Sequence, residues 1–172
     1  FHHFFVESAQ RAFPAARTYG IRGLEMKRKD LRFDELMGDE PAPLWSGQMD
    51  QVVVGNRVMR DVVFLHRASR TLVATDLVEN FSNETPGTNA ALRLWMRLFG
   101  MWGRPRAAPE LRLLTRDRDA ARRALEELLS WDFDRAVIAH GELLKQDPHT
   151  AIHKAWSRVL DSRPRPEAHV GG

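Results

Sequence analysis

The sequence predicts a layered α/β (α+β) domain, and three observations carry that prediction. Short apolar runs bounded by turn residues crowd the middle of the chain and read as strands. Longer stretches with apolar residues at helical spacing flank them and read as helices. The two kinds then alternate toward the C-terminus, as expected of helices layered on a sheet. A chain of 172 residues fits one domain with a substantial core. Residues 1–160 are expected to form it and 161–172 to be a flexible tail.

Composition narrows the function classes. Hydrophobic residues make up 43% and charged residues 28%, which is ordinary for a globular chain. There is no cysteine, so disulfides and Cys-based zinc sites are excluded and any metal ligands must be His, Asp or Glu. The formal charge of +3 is small and spread along the chain, so nucleic acid is not an expected partner. No apolar run approaches the roughly 18 residues of a membrane span, and no membrane partner is expected. The chain starts without Met, which leaves a signal peptide open, and the cytoplasm is the default location.

Taken in order, residues 4–13 place Phe5, Val6, Ala9 and Phe13 at helical spacing and stop before Pro14. Residues 16–19 read as a short strand closed by Gly20, and GLEMKRKD, from Gly23, as a short charged helix. The Gly-, Pro- and acid-rich stretch 32–50 reads as a connecting loop. QVVVG (51–55), DVVFLH (61–66) and TLVATD (71–76) are strands, the last two joined by the four-residue loop RASR. Their apolar runs are nearly continuous, which predicts cover on both faces.

A polar loop, 80–89, leads into AALRLWMRLFGMW (90–102), a helix apolar except for Arg93 and Arg97. It is expected to pack over the sheet; the alternatives are a substrate-pocket wall, with Trp102 and Arg104 at its mouth, and a homodimer surface. A second helix starts near Asp117 with Ala121, Leu125, Leu128 and Leu129 on one face. RAVIAH (135–140) is a buried strand ending on a histidine. The last helix has Asp147 as N-cap and Pro148 at its first position.

Two strands therefore end on residues able to bind a metal, Asp76 and His140. In layered α/β folds side chains converge just past strand ends, where the backbone is still held by pairing. The opening FHHFF adds His2 and His3 at a helix start. Each has an ordinary alternative. His2 and His3 could cap or pack, Asp76 could accept loop N–H groups, and His140 could be a satisfied strand-end residue. His66 reads as a hairpin-end residue, with lining of the site as its alternative. His149 and His153 have i, i+4 spacing but lack the Glu of H-E-x-x-H, and read as surface. Glu142 either orients a ligand imidazole or is solvated.

The ordered set FHHFF, LVATD and AVIAHGE resembles the metallo-β-lactamase superfamily. There an H-x-H-x-D-H motif lies at a strand-to-helix junction, a bridging Asp ends a central strand and a late His ends another. Together with DLRFDELMGDEP, VVFLHRASRTLVATDL and LRLLTRDRDAARRALEELLSWDFDRAVIAHGE, it is most similar to the family carrying the domain of unknown function 4336 (DUF4336), over residues 1–160.

The resemblance implies a partial αββα metallo-β-lactamase-like sandwich whose first strands precede Phe1. It sets His3 on the motif's His, His2 on its Asp, Asp76 on the bridging Asp and His140 on the late His. Asn56 stands where a further His is expected, which dismantles one of two metal positions. One divalent ion is then expected on His3, Asp76 and His140 with His2 as a fourth ligand. Zinc comes first, with iron or manganese as alternatives. The implied activity is metal-dependent hydrolysis of a small-molecule ester, thioester, amide or phosphodiester by a metal-bound water. The alternatives are a degenerate, non-catalytic binding or scaffold member and a nucleic-acid-processing member.

Overall fold

A computed structural model describes residues 2–55, 60–109, 111 and 117–162. Asn56 and the tail from residue 163 onward lie outside the described residues. The elements run α1 (Val6–Ala12), β1 (Tyr19–Ile21), α2 (Leu24–Lys27), β2 (Glu35–Met37), β3 (Met49–Gly55), β4 (Arg60–His66), β5 (Thr71–Ala74), α3 (Ala90–Leu98), α4 (Arg118–Ser130), β6 (Arg135–Ile138) and α5 (Pro148–Leu160).

Strands β3, β4, β5 and β6 form one sheet in that order. The first two pairings are antiparallel and β5–β6 is parallel. A parallel neighbour requires a long crossover, and α3 and α4 lie within it. The β4–β5 hairpin turns through residues 67–70, as its sequence indicates.

One face of this sheet is the core. Val52 and Val54, Val63 and Leu65, Leu72 and Ala74, Ala136 and Ile138 alternate inward along the four strands. Helix α4 covers them with Ala121, Leu125 and Leu128, and α5 adds Ile152, Ala155, Trp156 and Val159. These helical positions recur at three- and four-residue steps, so each helix turns one apolar stripe inward. Burying each Leu or Ile contributes about 2 kcal/mol. Asp117 and Asp147 cap α4 and α5 by accepting from Ala120 N and Thr150 N, at 2.9 and 3.1 Å.

Several expectations need correction. The cover on both faces does not extend across the sheet: Val73 and Val137, paired in register on the opposite face, are 38% and 39% exposed. Valine suits a pleated backbone as well as a buried site, so an unbroken apolar run does not by itself mean two covered faces. Among the described residues, only the β3–β4 side is closed there. The Gln51 amide donates to Gly38 O (2.9 Å) and Glu40 O (3.2 Å), and Trp45 meets Phe64 edge-on.

The first strand is Tyr19–Ile21 rather than 16–19. It is centred on Gly20, where a Cβ would lie 2.8 Å from the Phe33 ring. Its parallel partner β2 sits inside the stretch read as a loop. Helix α2 is a single turn, and α1 buries none of its residues, leaving Phe5 and Phe13 in solvent. Helix α3 does not pack over the sheet; it buries Met96 and exposes Leu94, Trp95, Leu98 and Phe99. Among the described residues, no helix is long and apolar enough to cross a membrane.

Candidate metal centre

The parallel pairing of β5 with β6 sets Ala74 opposite Ile138. Asp76 and His140 each stand two residues beyond those partners. Equal steps past matched positions therefore carry both side chains to the same end of the sheet. The segments stay joined past the strands: Asn80 N donates to His140 O (3.0 Å) and Glu142 N to Asn80 O (2.8 Å). The Asn80 amide adds a bond to Glu142 O at 3.0 Å. Gly141 has φ +93°, and a Cβ there would lie 2.1 Å from Asn80 O. Any other residue would force the segments apart.

Asp61, on β4, fixes the Asp76 turn from beneath. Its carboxylate is 2% exposed and accepts from the Thr75 hydroxyl (2.6 Å), Thr75 N (3.2 Å) and Leu77 N (2.7 Å). Burial pushes this carboxyl up, against those three hydrogen bonds, and the charge of Asp76 adds to the push. The residue after the turn is held as well, since Trp156 Nε1 of α5 donates to Leu77 O at 2.9 Å. Asp76 is thus bracketed by two anchored neighbours.

The chain's opening segment supplies the third group. His2 Nε2 lies 3.0 Å from Asp76 Oδ1, and His140 Nε2 lies 3.1 Å from the same oxygen. The two imidazole nitrogens are 3.3 Å apart, with ring centroids 5.0 Å apart. The Asp76 side chain is 15% exposed and the two histidines just over a third. Burial alone would raise the Asp76 carboxyl. Hydrogen bonds from His140 and His2, with their charge, outweigh it and hold the group at about 2. It is an anion at neutral pH, the form a cation requires.

The donor set fits a small divalent ion. A tetrahedral zinc with bonds of 2.0–2.1 Å places its ligand atoms about 3.3 Å from one another. The three separations here, 3.0, 3.1 and 3.3 Å, are close to that spacing. Two imidazoles and one carboxylate are also a common set for zinc, iron or manganese. Among the described residues, His2, Asp76 and His140 are the group of His, Asp and Glu side chains that converges this way.

His3 stands apart from these three. Its Nδ1 accepts from the Arg28 guanidinium at 2.8 Å, and its carbonyl accepts from the same group at 3.1 Å. Arginine can only donate, so Nδ1 is the acceptor of this bond. Arg28, which also pairs with Asp30 at 2.6 Å, clips the backbone next to His2. Neither Arg28 nor Asp61 stood out in the sequence. Asp61 did leave a signal: it shares the inward parity of Val63 and Leu65, where a carboxylate is out of place unless bonded.

The remaining candidates lie elsewhere. Glu142 is engaged by Ser82 Oγ and Thr85 Oγ1 (2.9 Å), which donate to its carboxylate and lower its pKa. His66 pairs with Thr71, at the end of β5 opposite to Asp76, and its Nδ1 bonds Ser69 Oγ at 2.7 Å. His149 stacks on Phe133 with centroids 3.8 Å apart, and His153 is exposed. Trp102 bridges to Phe81, and Arg104 Nε donates to Gly100 O.

No protein-family model and no curated protein matches the sequence. Among solved structures, the chain is similar to a crystal structure of the DIM-1 metallo-β-lactamase exposed to ceftazidime, with a TM-score of 0.53 and 14% identity. The match covers 91% of this chain and 62% of that one. The likeness shows the fold: a mixed α/β architecture, four-stranded sheet with helices, of the metallo-β-lactamase kind.

Proposed function

We propose that this chain carries a mononuclear metal site on His2, Asp76 and His140 and serves as a metal-dependent hydrolase of the metallo-β-lactamase superfamily. The observation that carries the reading is the meeting of three donor atoms from residues 2, 76 and 140 at separations near 3 Å. Within the superfamily, the DUF4336 branch rests on the ordered sequence pieces from FHHFF to AVIAHGE.

A divalent ion held there, zinc first, would supply Lewis acidity and an activated water for hydrolysis. The protein's own residues do the holding. Asp76 contributes the anionic charge, and His2 and His140 would contribute nitrogen donors once an ion displaces the protons they share with Asp76. Asp61 keeps the Asp76 turn from relaxing through its bonds to Thr75 and Leu77. Arg28 holds the segment that carries His2, through His3. With three protein ligands, a fourth position stays free for water or substrate. The imidazoles, each just over a third exposed, put that position within reach of a small molecule.

The departure at Asn56 favours a second reading, a member that keeps the fold and site as a binding or scaffold domain without catalysis. Equilibrium dialysis of the whole chain against zinc separates the two from a site that binds nothing. One ion per chain is expected, falling to background in Asp76→Ala while the circular dichroism spectrum is retained. Zinc content equal in parent and variant would overturn the site. Zinc binding without hydrolysis across ester, thioester, amide and phosphodiester substrates would leave the scaffold reading standing.

A further inference from the structure

The outer side of α3 is a surface that the metal site does not use. Leu94, Trp95, Leu98 and Phe99 share one side of the helix and are 60%, 52%, 73% and 51% exposed. The Trp95 and Phe99 rings are in contact, with centroids 4.4 Å apart, so the patch is continuous. Met96, on the opposite side, ties the helix to the domain. A cluster of large apolar side chains held in water by a folded helix marks a contact surface.

Charge narrows what it contacts. Residues 85–109 contain no Asp or Glu, while Arg93, Arg97 and Arg104 are exposed. Arg93 and Arg97 flank the apolar side, with guanidinium carbons 5.7 and 5.8 Å from the centre of the Trp102 ring. Arg93 Nε also donates to Thr88 Oγ1, and Arg104 Nε to Gly100 O. These partners are uncharged, so the positive field is left for whatever docks. A second copy packed isologously through the same face would set both groups of arginines against each other, with no carboxylate from residues 85–109 to offset them. The complement is instead apolar within and anionic at its rim, the profile of a bilayer with anionic headgroups.

We propose that α3 is an interfacial helix that docks the protein on anionic lipid surfaces, with Leu94, Trp95, Leu98 and Phe99 among the acyl chains and Arg93, Arg97 and Arg104 at the phosphates. A peripheral contact of this kind needs no membrane span, and it stands independently of the ion at Asp76. Sequence periodicity alone pointed to a covered helix; exposure of that face is what the fold adds.

Co-sedimentation of the full chain with phosphatidylcholine vesicles, with and without phosphatidylglycerol, tests it. Binding is expected only with phosphatidylglycerol, weakening as salt rises. Arg93→Gln with Arg97→Gln is expected to reduce partitioning about tenfold or more, and Leu98→Asp to abolish it. All three positions are exposed, so each variant should keep the parent's melting temperature. Equal partitioning into both vesicle types, or none, would overturn the proposal. So would a dimer in sedimentation equilibrium, without lipid, that Leu98→Asp dissociates, since the face would then be a self-interface.

Discussion

The two faces of the four-stranded sheet are built from the same residue types and end differently. Leu72, Ala74, Ala136 and Ile138 point into a core closed by α4 and α5. Val73 and Val137, alternating with them on the same two strands, stand more than a third exposed. Hydrophobicity is shared by both sets. What separates them is whether an element lies across the face, and that is decided by residues far away in sequence. The closed face makes the strands stiff, and that stiffness lets Asp76 and His140 stop at fixed points two residues past their register partners.

The largest effect should come from the closed face. Leu125 on α4 is fully buried, so Leu125→Ala removes side-chain volume that neighbours cannot refill. A loss of about 2–5 kcal/mol is expected, read as the shift in urea midpoint at constant slope. A loss under about 0.5 kcal/mol would mean that the core around α4 collapses freely, and the contrast between the faces would fail.

Next comes the point where the closed face supports the site. Asp61→Ala leaves the buried Leu77 N and the partly buried Thr75 N without their acceptor, at a cost of about 2–3 kcal/mol. It should also weaken zinc binding although Asp61 touches none of the three donors, because the Asp76 turn loses its lower anchor. Dialysis alongside a denaturant titration checks both. Destabilisation with unchanged zinc affinity would show that Asp76 is positioned by β5 alone.

How much of this was legible beforehand differs residue by residue. β3, the β4–β5 hairpin, α4 and α5 could be read because each pairs a strong apolar period with a turn or cap residue close by: the RASR loop, Asp117, Asp147 and Pro148. β1 and β2 could not, since each is a three-residue strand embedded in polar, turn-rich sequence. Asp76 and His140 stood out because each closes a recognisable strand. The sequence put His3 ahead of His2 as the ligand, and the geometry groups His2 with Asp76 and His140 instead. Adjacent side chains diverge, and the residue that engages His3 is Arg28, 25 positions away. α3 is the opposite case. Its period was visible but its surroundings were not, and a helix with a wide apolar arc reads the same whether a sheet, a partner or solvent lies over it.

The smallest expected effect is the sharpest check on the comparison. Val73→Thr and Val137→Thr keep the β-branched shape that suits a strand and replace one methyl with a hydroxyl. On a covered face that hydroxyl would lose its water and cost a kilocalorie or more, about the penalty for burying an unpaired polar group. On an open face it stays hydrated, and the stability change should remain within about 0.5 kcal/mol. The matched control is Val63→Thr on β4, fully buried on the other side of the same sheet, where the full penalty applies. Equal losses at Val63 and Val137 would mean that a second layer covers the open face in solution. The exposed valines would then belong to an interface, and the two faces would differ in what covers them rather than in whether they are covered.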